Sequence, residues 1–250
     1  MEEDIFLSRN DDQQMIKAFE KAQETFGYFW RELSWEYRRI IPALDIASVK
    51  VALIEGEDED VFVEHVWMSD IDFDGNTIYG TLNNQPQYIS AYNQGDRIEM
   101  PFEQVSDWLF VSGGKSYGGF TVQVLRSQMN DEERQQHDEA WGVDFGDYNT
   151  IYVAYGQEEN EQVLKEHPMS INMKEKLEEF INNYPNEISE MDEKGNTMLH
   201  REALAGNATV VEVLLKAGAN KTIKNKAGQT PLDFAKKFNW EGVIQLLENK

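Results

Sequence analysis

Thr197-Met198-Leu199-His200 recurs 33 residues later as Thr230-Pro231-Leu232-Asp233. A fixed period of this length constrains the fold more than any composition does. It means that one small supersecondary unit is copied, and that each copy buries its apolar face only by stacking on the next. The correspondence continues without a gap: Gly195 falls on Gly228, Val210 on Val243, Val211 on Ile244, Val213 on Leu246 and Leu214 on Leu247. Stepping backwards, Asp192 falls on Asn225, Ile181 on Leu214 and Leu177 on Val210. Residues 169–250 therefore read as an all-α stack of about two and a half units.

The T-x-L-H and T-P-L-D turns at this spacing resemble the ankyrin repeat. The resemblance implies a protein-binding stack that presents its turns and a concave helical face to a partner. The turn residues Asp192, Glu193, Lys194 and Asn196, and their counterparts Asn225, Lys226 and Gln229, are the candidate protein-binding positions there. It also implies that His200 holds backbone together rather than acting in chemistry.

Charge divides the chain unevenly. Residues 1–169 hold 12 basic and 34 acidic side chains, whereas 170–250 hold 11 and 12. Almost all of the net charge of -23 thus belongs to the N-terminal part. Such a field repels nucleic acid and anionic membrane and steers basic partners. There is no cysteine, which removes disulfides, thiolate nucleophiles and Cys-based zinc sites. The start Met1-Glu2-Glu3-Asp4 is acidic, Ile5-Phe6-Leu7 is too short for a secretory core, and no run approaches the ~18 apolar residues of a membrane span. The expectation is a cytoplasmic protein without a membrane partner.

Residues 1–12 read as an acidic tail and 13–155 as one domain. Ile16, Phe19, Ala22, Phe26, Phe29 and Leu33 recur at three or four and predict a helix from Gln13 to about Leu33, with Gly27 as a weak point inside it. Strands follow at Ile46–Leu53, Val61–Met68, Thr77–Leu82, Arg97–Phe102 and Val105–Val111, separated by turns such as Asp74-Gly75-Asn76. Asn130 reads as the N-cap of a charged helix to Ala140. The pattern predicts an α+β domain: a curved antiparallel sheet with packed helices. Residues 156–168 read as a charged connector to the repeats at 169–250.

Within this domain lies an ordered series: Glu64-His65-x-Trp67, Gly80-x-Leu82-x-Asn84-x-Pro86, Gly95-Asp96, Ser106-Asp107-Trp108, Gly118-Gly119-Phe120-Thr121 and Leu125-Arg126-x-x-Met129. Across roughly residues 15–145 the series resembles the uncharacterised bacterial YegJ-like domain of unknown function. That resemblance implies a fold unit and a bacterial origin, and brings no activity or cofactor with it.

Several patterns suggest chemistry. Asp70-x-Asp72-x-Asp74-Gly75 opens like a calcium loop, but position twelve is Thr81 and the flanks read as strands, so an acidic hairpin is favoured. Glu64 and His65 could form an acid/base pair, yet strand neighbours point to opposite faces. His65 shares a face with Trp67 and reads as a histidine packed beside it. Gly113-Gly114-Lys115-Ser116 lacks the first glycine of a phosphate loop, Leu109 standing in its place, and no helix is expected after it. His137, His167 and His200 show no metal spacing. Among the many aromatic residues, Trp67 and Trp108 are candidate anchors for a partner, with core packing as the other reading.

The reading is a non-enzymatic protein-protein interaction module without cofactor. Within that class the sharpest expectation is a bacterial immunity or antitoxin-type protein that blocks a basic toxin or effector. The alternative is a metal-dependent hydrolase built on Glu64, His65 and Asp70/Asp72/Asp74. A third possibility is a regulatory module in which the N-terminal part caps the short repeat stack.

Overall fold

A computed structural model describes residues 13–56 and 61–249; the acidic tail at 1–12 and most of the acidic turn after Glu55 lie outside the described residues. The chain forms two compact units that do not follow chain order. One comprises Ala43–Tyr152 with the chain up to Glu24; the other comprises Thr25–Pro42 with the chain from Val153 on. The first helix, α1 (Gln13–Glu36), therefore contributes its first half to one unit and its second half to the other.

The first unit is built on a six-stranded antiparallel sheet in the order β4-β3-β2-β1-β5-β6. The strands are β1 (Ile46–Glu55), β2 (Phe62–Phe73), β3 (Thr77–Leu82), β4 (Arg97–Pro101), β5 (Val105–Ser112) and β6 (Lys115–Gly118). Period-two patterning sets the faces. Val49, Val51 and Leu53 are fully buried, and Lys50 and Ala52 point the other way, opposite Trp67 and His65 of β2. Strand β5, between β1 and the edge strand β6, is buried from Val105 to Val111. Gly113 and Gly114, with φ of 57° and 77°, form the two-residue turn between β5 and β6. The phosphate-loop-like sequence is thus a hairpin.

A helix does follow, contrary to expectation: α2 (Phe120–Gln128). Its start was hidden because its N-cap is Gly119 in the left-handed region, and the capping carboxylate comes from Asp107, thirteen residues earlier. Helix α3 (Asp131–Trp141) is capped by Asn130 in a capping box with Glu133, as expected. Val122, Val143 and Phe145 pack with Leu109, Val111, Ile46 and Trp67 beneath α2.

The second unit holds three helix pairs: α4 (Pro168–Asn172) with α5 (Lys174–Asn183), α6 (Met198–Leu204) with α7 (Ala208–Lys216), and α8 (Pro231–Lys237) with α9 (Glu241–Glu248). α6 packs on α8, and α7 packs on both α5 and α9. The recurring threonine starts α6 and α8 by the same reciprocal cap with different chemistry. Thr197 N donates to His200 Nδ1 at 3.1 Å, and Thr230 N donates to Asp233 Oδ2 at 2.7 Å.

Residues 156–168 are no connector. They form turns and a 3-10 segment, Glu161–Leu164, that packs against the second half of α1. The guanidinium of Arg31, 2% exposed, donates to Val163 O and Leu164 O. Gly27 is no weak point either. A Cβ there would sit 2.8 Å from Phe238 and 2.9 Å from Trp240, so glycine is what lets α1 approach those rings. Trp35 Nε1 donates to Asn207 Oδ1, and Asn207 and Arg38 both donate to Glu202. The second half of α1 is thus laid along the tight turns that join the inner and outer helices of the repeats.

Candidate functional site

The two turns that precede α6 and α8 are built on the same plan. Asp192 Oδ1 accepts from Lys194 N and Asn196 N, and Asn225 Oδ1 accepts from Gln229 N. Each turn closes through a glycine in the left-handed region, Gly195 (φ 80°) and Gly228 (φ 79°). The turns are also tied to each other. Lys226 N donates to Lys194 O at 2.9 Å, and Asn225 Nδ2 donates to Asn196 Oδ1 at 2.9 Å. His200 Nδ1 accepts from Thr197 N, which leaves Nε2–H to reach Gln229 O at 3.2 Å. Burial lowers the pKa of His200 against weaker opposing hydrogen bonds and charges, which favours this neutral form.

This geometry sorts the expected contact residues. Asp192, Glu193, Lys194 and Lys226 are exposed, and Gln229 is half-buried. Asn196 and Asn225 are buried and spent on the link between turns, so they shape the surface without forming it.

Of the two tryptophans expected as anchors, only Trp67 keeps part of its surface exposed. Trp108 is wholly buried, its Nε1 donating to Ala22 O, its ring stacked on Phe110 and edge-on to Phe120. Trp67 is half-buried, packed against the cluster under α2 with Lys50 Nζ 4.7 Å from its ring centroid. The sequence showed large rings, but which side of the sheet they fill depends on strand pairing.

The family-like series converges on one buried polar lock in the first unit. Asp107, 0% exposed, accepts from Trp108 N, Phe120 N, Thr121 N and Thr121 Oγ1. Thr121 Oγ1 in turn accepts from Lys50 Nζ at 2.8 Å. Burial pushes the Asp107 carboxyl up and the Lys50 ammonium down, while each partly offsets the other's shift. Gly118 completes the lock: with φ of 76°, a Cβ there would fall on the Trp108 ring. Lys50 carried no sequence signal, because only the strand register brings it opposite Asp107.

The hydrolase residues are not brought together in a free state. Glu64 spends its carboxylate on the backbone N–H groups of Gln87, Tyr88 and Ile89, which anchors that loop. His65 points to the other face and stacks on Phe19 at 4.8 Å; its buried Nδ1 has no hydrogen-bond partner among the described residues. Burial, with a smaller contribution from Lys50, lowers its pKa to about 4. Asp74 closes the β2–β3 hairpin through Asn76 N and Thr77 N and accepts from Tyr79 Oη, and Asp72 accepts from Phe73 N. Asp70, with φ of 52°, lies in the β2 bulge. The acidic run is a hairpin and its bulge.

A second buried cluster was missed altogether. Glu32 accepts from His167 Nε2 at 3.0 Å and from Arg39 at 2.9 Å, while His167 Nδ1 accepts from Met169 N and caps α4. Burial alone would raise the Glu32 pKa, but His167 and Arg39 hold it below the usual value. One period separates His167 from His200. The repeat step, taken back once more, would have found it.

Comparison with known proteins agrees with both halves. Residues 12–145 match the family described as "Uncharacterized protein conserved in bacteria (DUF2314)", and residues 182–235 match ankyrin repeats. A protein of Neisseria meningitidis serogroup B described as an ankyrin repeat protein is 45% identical over 98% of this chain and 96% of its own length. The uncharacterized protein YegJ of Escherichia coli K12 is 29% identical over 29% of this chain and 48% of its own length. Human ankyrin repeat domain-containing protein 29 is 38% identical over 22% of this chain and 18% of its own length. The chain belongs to the bacterial family of uncharacterized DUF2314 proteins, and behind its family domain it carries ankyrin repeats that make it a protein-interaction module.

Proposed function

We propose that the chain is a non-enzymatic binding protein of the immunity or antitoxin type, which occupies and blocks a basic partner protein. The observation that carries this reading is the pair of cross-linked turns. The link between Asn196 and Asn225 fixes them in register, and Asp192, Glu193, Lys194 and Lys226 stand exposed on that fixed frame. A pre-ordered surface gives up little entropy on binding. The acidic balance of residues 1–169 adds long-range attraction for a basic partner and speeds encounter. Blocking by occlusion needs no reacting group, and Glu64, Asp72 and Asp74, three of the carboxylates that could have served a hydrolase, hold backbone N–H groups of the loop and hairpin.

The test is affinity capture of the tagged chain from lysate of its own organism at low and high salt. One stoichiometric basic protein, retained at low salt and lost at high salt, is the expected result. Lys226→Ala with Gln229→Ala should weaken that capture while leaving the melting temperature nearly unchanged. Retention of no protein under either condition would sink the immunity reading.

A further inference from the structure

The sheet closes one of its edges and leaves the other bare. At β6, Ser116 N donates to Asp144 O and Gly118 N to Tyr152 O, while Asp144 N donates to Gly114 O. The chain's own segment after α3 thus covers that edge. β4 stands at the opposite end of the strand order. Its inner side is fixed by two bonds: Phe102 N donates to Asn76 O, and Leu82 N donates to Asp96 O. Backbone groups alternate sides along a strand, so Ile98 and Met100 turn theirs to β3, and Arg97, Glu99 and Pro101 turn theirs outward. These outward N–H and C=O groups have no hydrogen-bond partner among the described residues.

A bare edge invites unwanted strands, and charge or proline commonly blunts it. β4 carries Arg97, Glu99 and Pro101 there, all exposed. Yet these residues do not turn every strand away. Opposite charges two positions apart suit an antiparallel strand that carries the same two charges in reverse order, and β4 itself is such a strand.

We propose that β4 is the pairing edge for a second copy of this chain, in an antiparallel register centred on Ile98 that joins the two sheets. Residues with outward groups must face each other across the new ladder, which leaves few registers. Centred on Arg97, the ladder would oppose two guanidinium groups. Centred on Glu99, it would oppose two carboxylates and match Arg97 with a proline that has no N–H to give. Centred on Ile98, Arg97 meets the partner's Glu99, and Glu99 meets the partner's Arg97. Each of these pairs exchanges two backbone hydrogen bonds, with Cα atoms about 5.5 Å apart. Opposite charges so placed stabilise a ladder, and like charges destabilise it. Pro101 then falls outside the paired stretch. Arg97 Nη1 donates to Asp70 O at 3.2 Å, and its remaining N–H groups are open to the partner's carboxylate. The edge is only five residues long, so the dimer is weak, in the micromolar range or above. The net charge of -23 opposes it at low ionic strength. At physiological salt the Debye length falls to about 8 Å, and contact pairs outlast that repulsion. Self-pairing at β4 neither needs nor excludes the blocked partner.

Sedimentation velocity on the full chain at physiological salt, up to about 1 mM protein, should show a monomer–dimer equilibrium. As the dimer fills, hydrogen exchange should slow at the amides of Arg97 and Glu99. The amides of Ile98 and Met100, already turned to β3, should not change. Arg97→Glu and Glu99→Arg should each weaken the dimer by about tenfold, because each sets like charges opposite at two places. Glu99→Arg keeps the bond from Arg97 to Asp70 O, so loss of that bond cannot account for its effect. Arg97→Glu with Glu99→Arg in one chain restores opposite pairs and should restore the dimer. An equal mixture of the two single variants should form a heterodimer that neither forms alone. Unaltered melting temperatures show that the fold is kept, as expected for exposed positions. A monomer at every concentration overturns the proposal. So does a dimer that both single variants leave intact, which places the contact elsewhere. Loss in the single variants with no recovery in the double variant or the mixture overturns it as well.

Discussion

From one repeat to the next, a residue finds its partner about one period away: Asn196 meets Asn225, Lys194 meets Lys226 and His200 meets Gln229. In the sheet unit there is no such rule. Lys50 reaches Thr121 across 71 residues, and Trp108 reaches Ala22 across 86. The repeat unit spreads its stability over many similar links between neighbours. The sheet unit concentrates specificity in one buried lock, where Asp107 serves α2, β5 and, through Thr121, Lys50 of β1. The lesson is that damage should be local and modest in the first case and severe in the second.

Asp107→Ala tests the severe case. It removes the acceptor of four hydrogen bonds and leaves the Lys50 ammonium buried without its counter-charge. The expected loss is about 3–5 kcal/mol in urea unfolding. A loss below 1 kcal/mol would show that the lock is not what holds the sheet unit.

Matched glycines sharpen the comparison. Gly118→Ala and Gly206→Ala each put a methyl group into a tryptophan ring at positive φ, one in each unit. Both should cost about 2–4 kcal/mol. Gly228→Ala has the same backbone strain with open space around it, and should cost only about 1 kcal/mol. Equal losses at all three positions would make the backbone, rather than the ring contact, the cause.

His65 gives the sheet unit a pH dependence. Its folded pKa of about 4 lies below the ordinary 6.5, so below pH 6.5 the unfolded chain binds more protons than the folded one. Stability is therefore intact above about pH 6.5 and falls as pH drops towards 4, by up to roughly 3 kcal/mol from this group. Thermal melts across that window should show a shallower acid slope in His65→Phe than in the parent.

A modest effect is also expected where links are shared. Asn225→Ala removes one side-chain tie between the turns, while Lys226 N to Lys194 O remains. A loss of about 1–2 kcal/mol is expected from urea unfolding.

The same contrast explains what could be read from the chain. The helix pairs after Thr197 were legible because the pattern that encodes them is repeated and local. The strand order beneath Ser106-Asp107-Trp108 was partly legible, since period-two runs and the Asp74-Gly75 turn mark the hairpins. Lys50, the burial of Trp108 and the start of α2 were not, because each is decided by a partner far along the chain. Trp108 was a candidate for a surface only because ring size does not say which side of a sheet a ring fills. Residues 156–168 look like a linker by composition. Only the buried Arg31, reaching Val163 from more than a hundred residues away, shows otherwise.

The shared helix α1 bears on inheritance. One unit takes residues 25–42 and then the chain from 153 on; the other takes what lies before and between. The chain thus changes unit at three points, and no single recombination event can hand either unit intact to a new gene. A fragment starting at residue 153 would carry the helix pairs but lose Arg31, Trp35 and Arg38 along their tight turns. Shuffling would break this pair where ordinary tandem domains would survive it, so descent should transmit the two as one block, as the 98% coverage of the meningococcal relative illustrates.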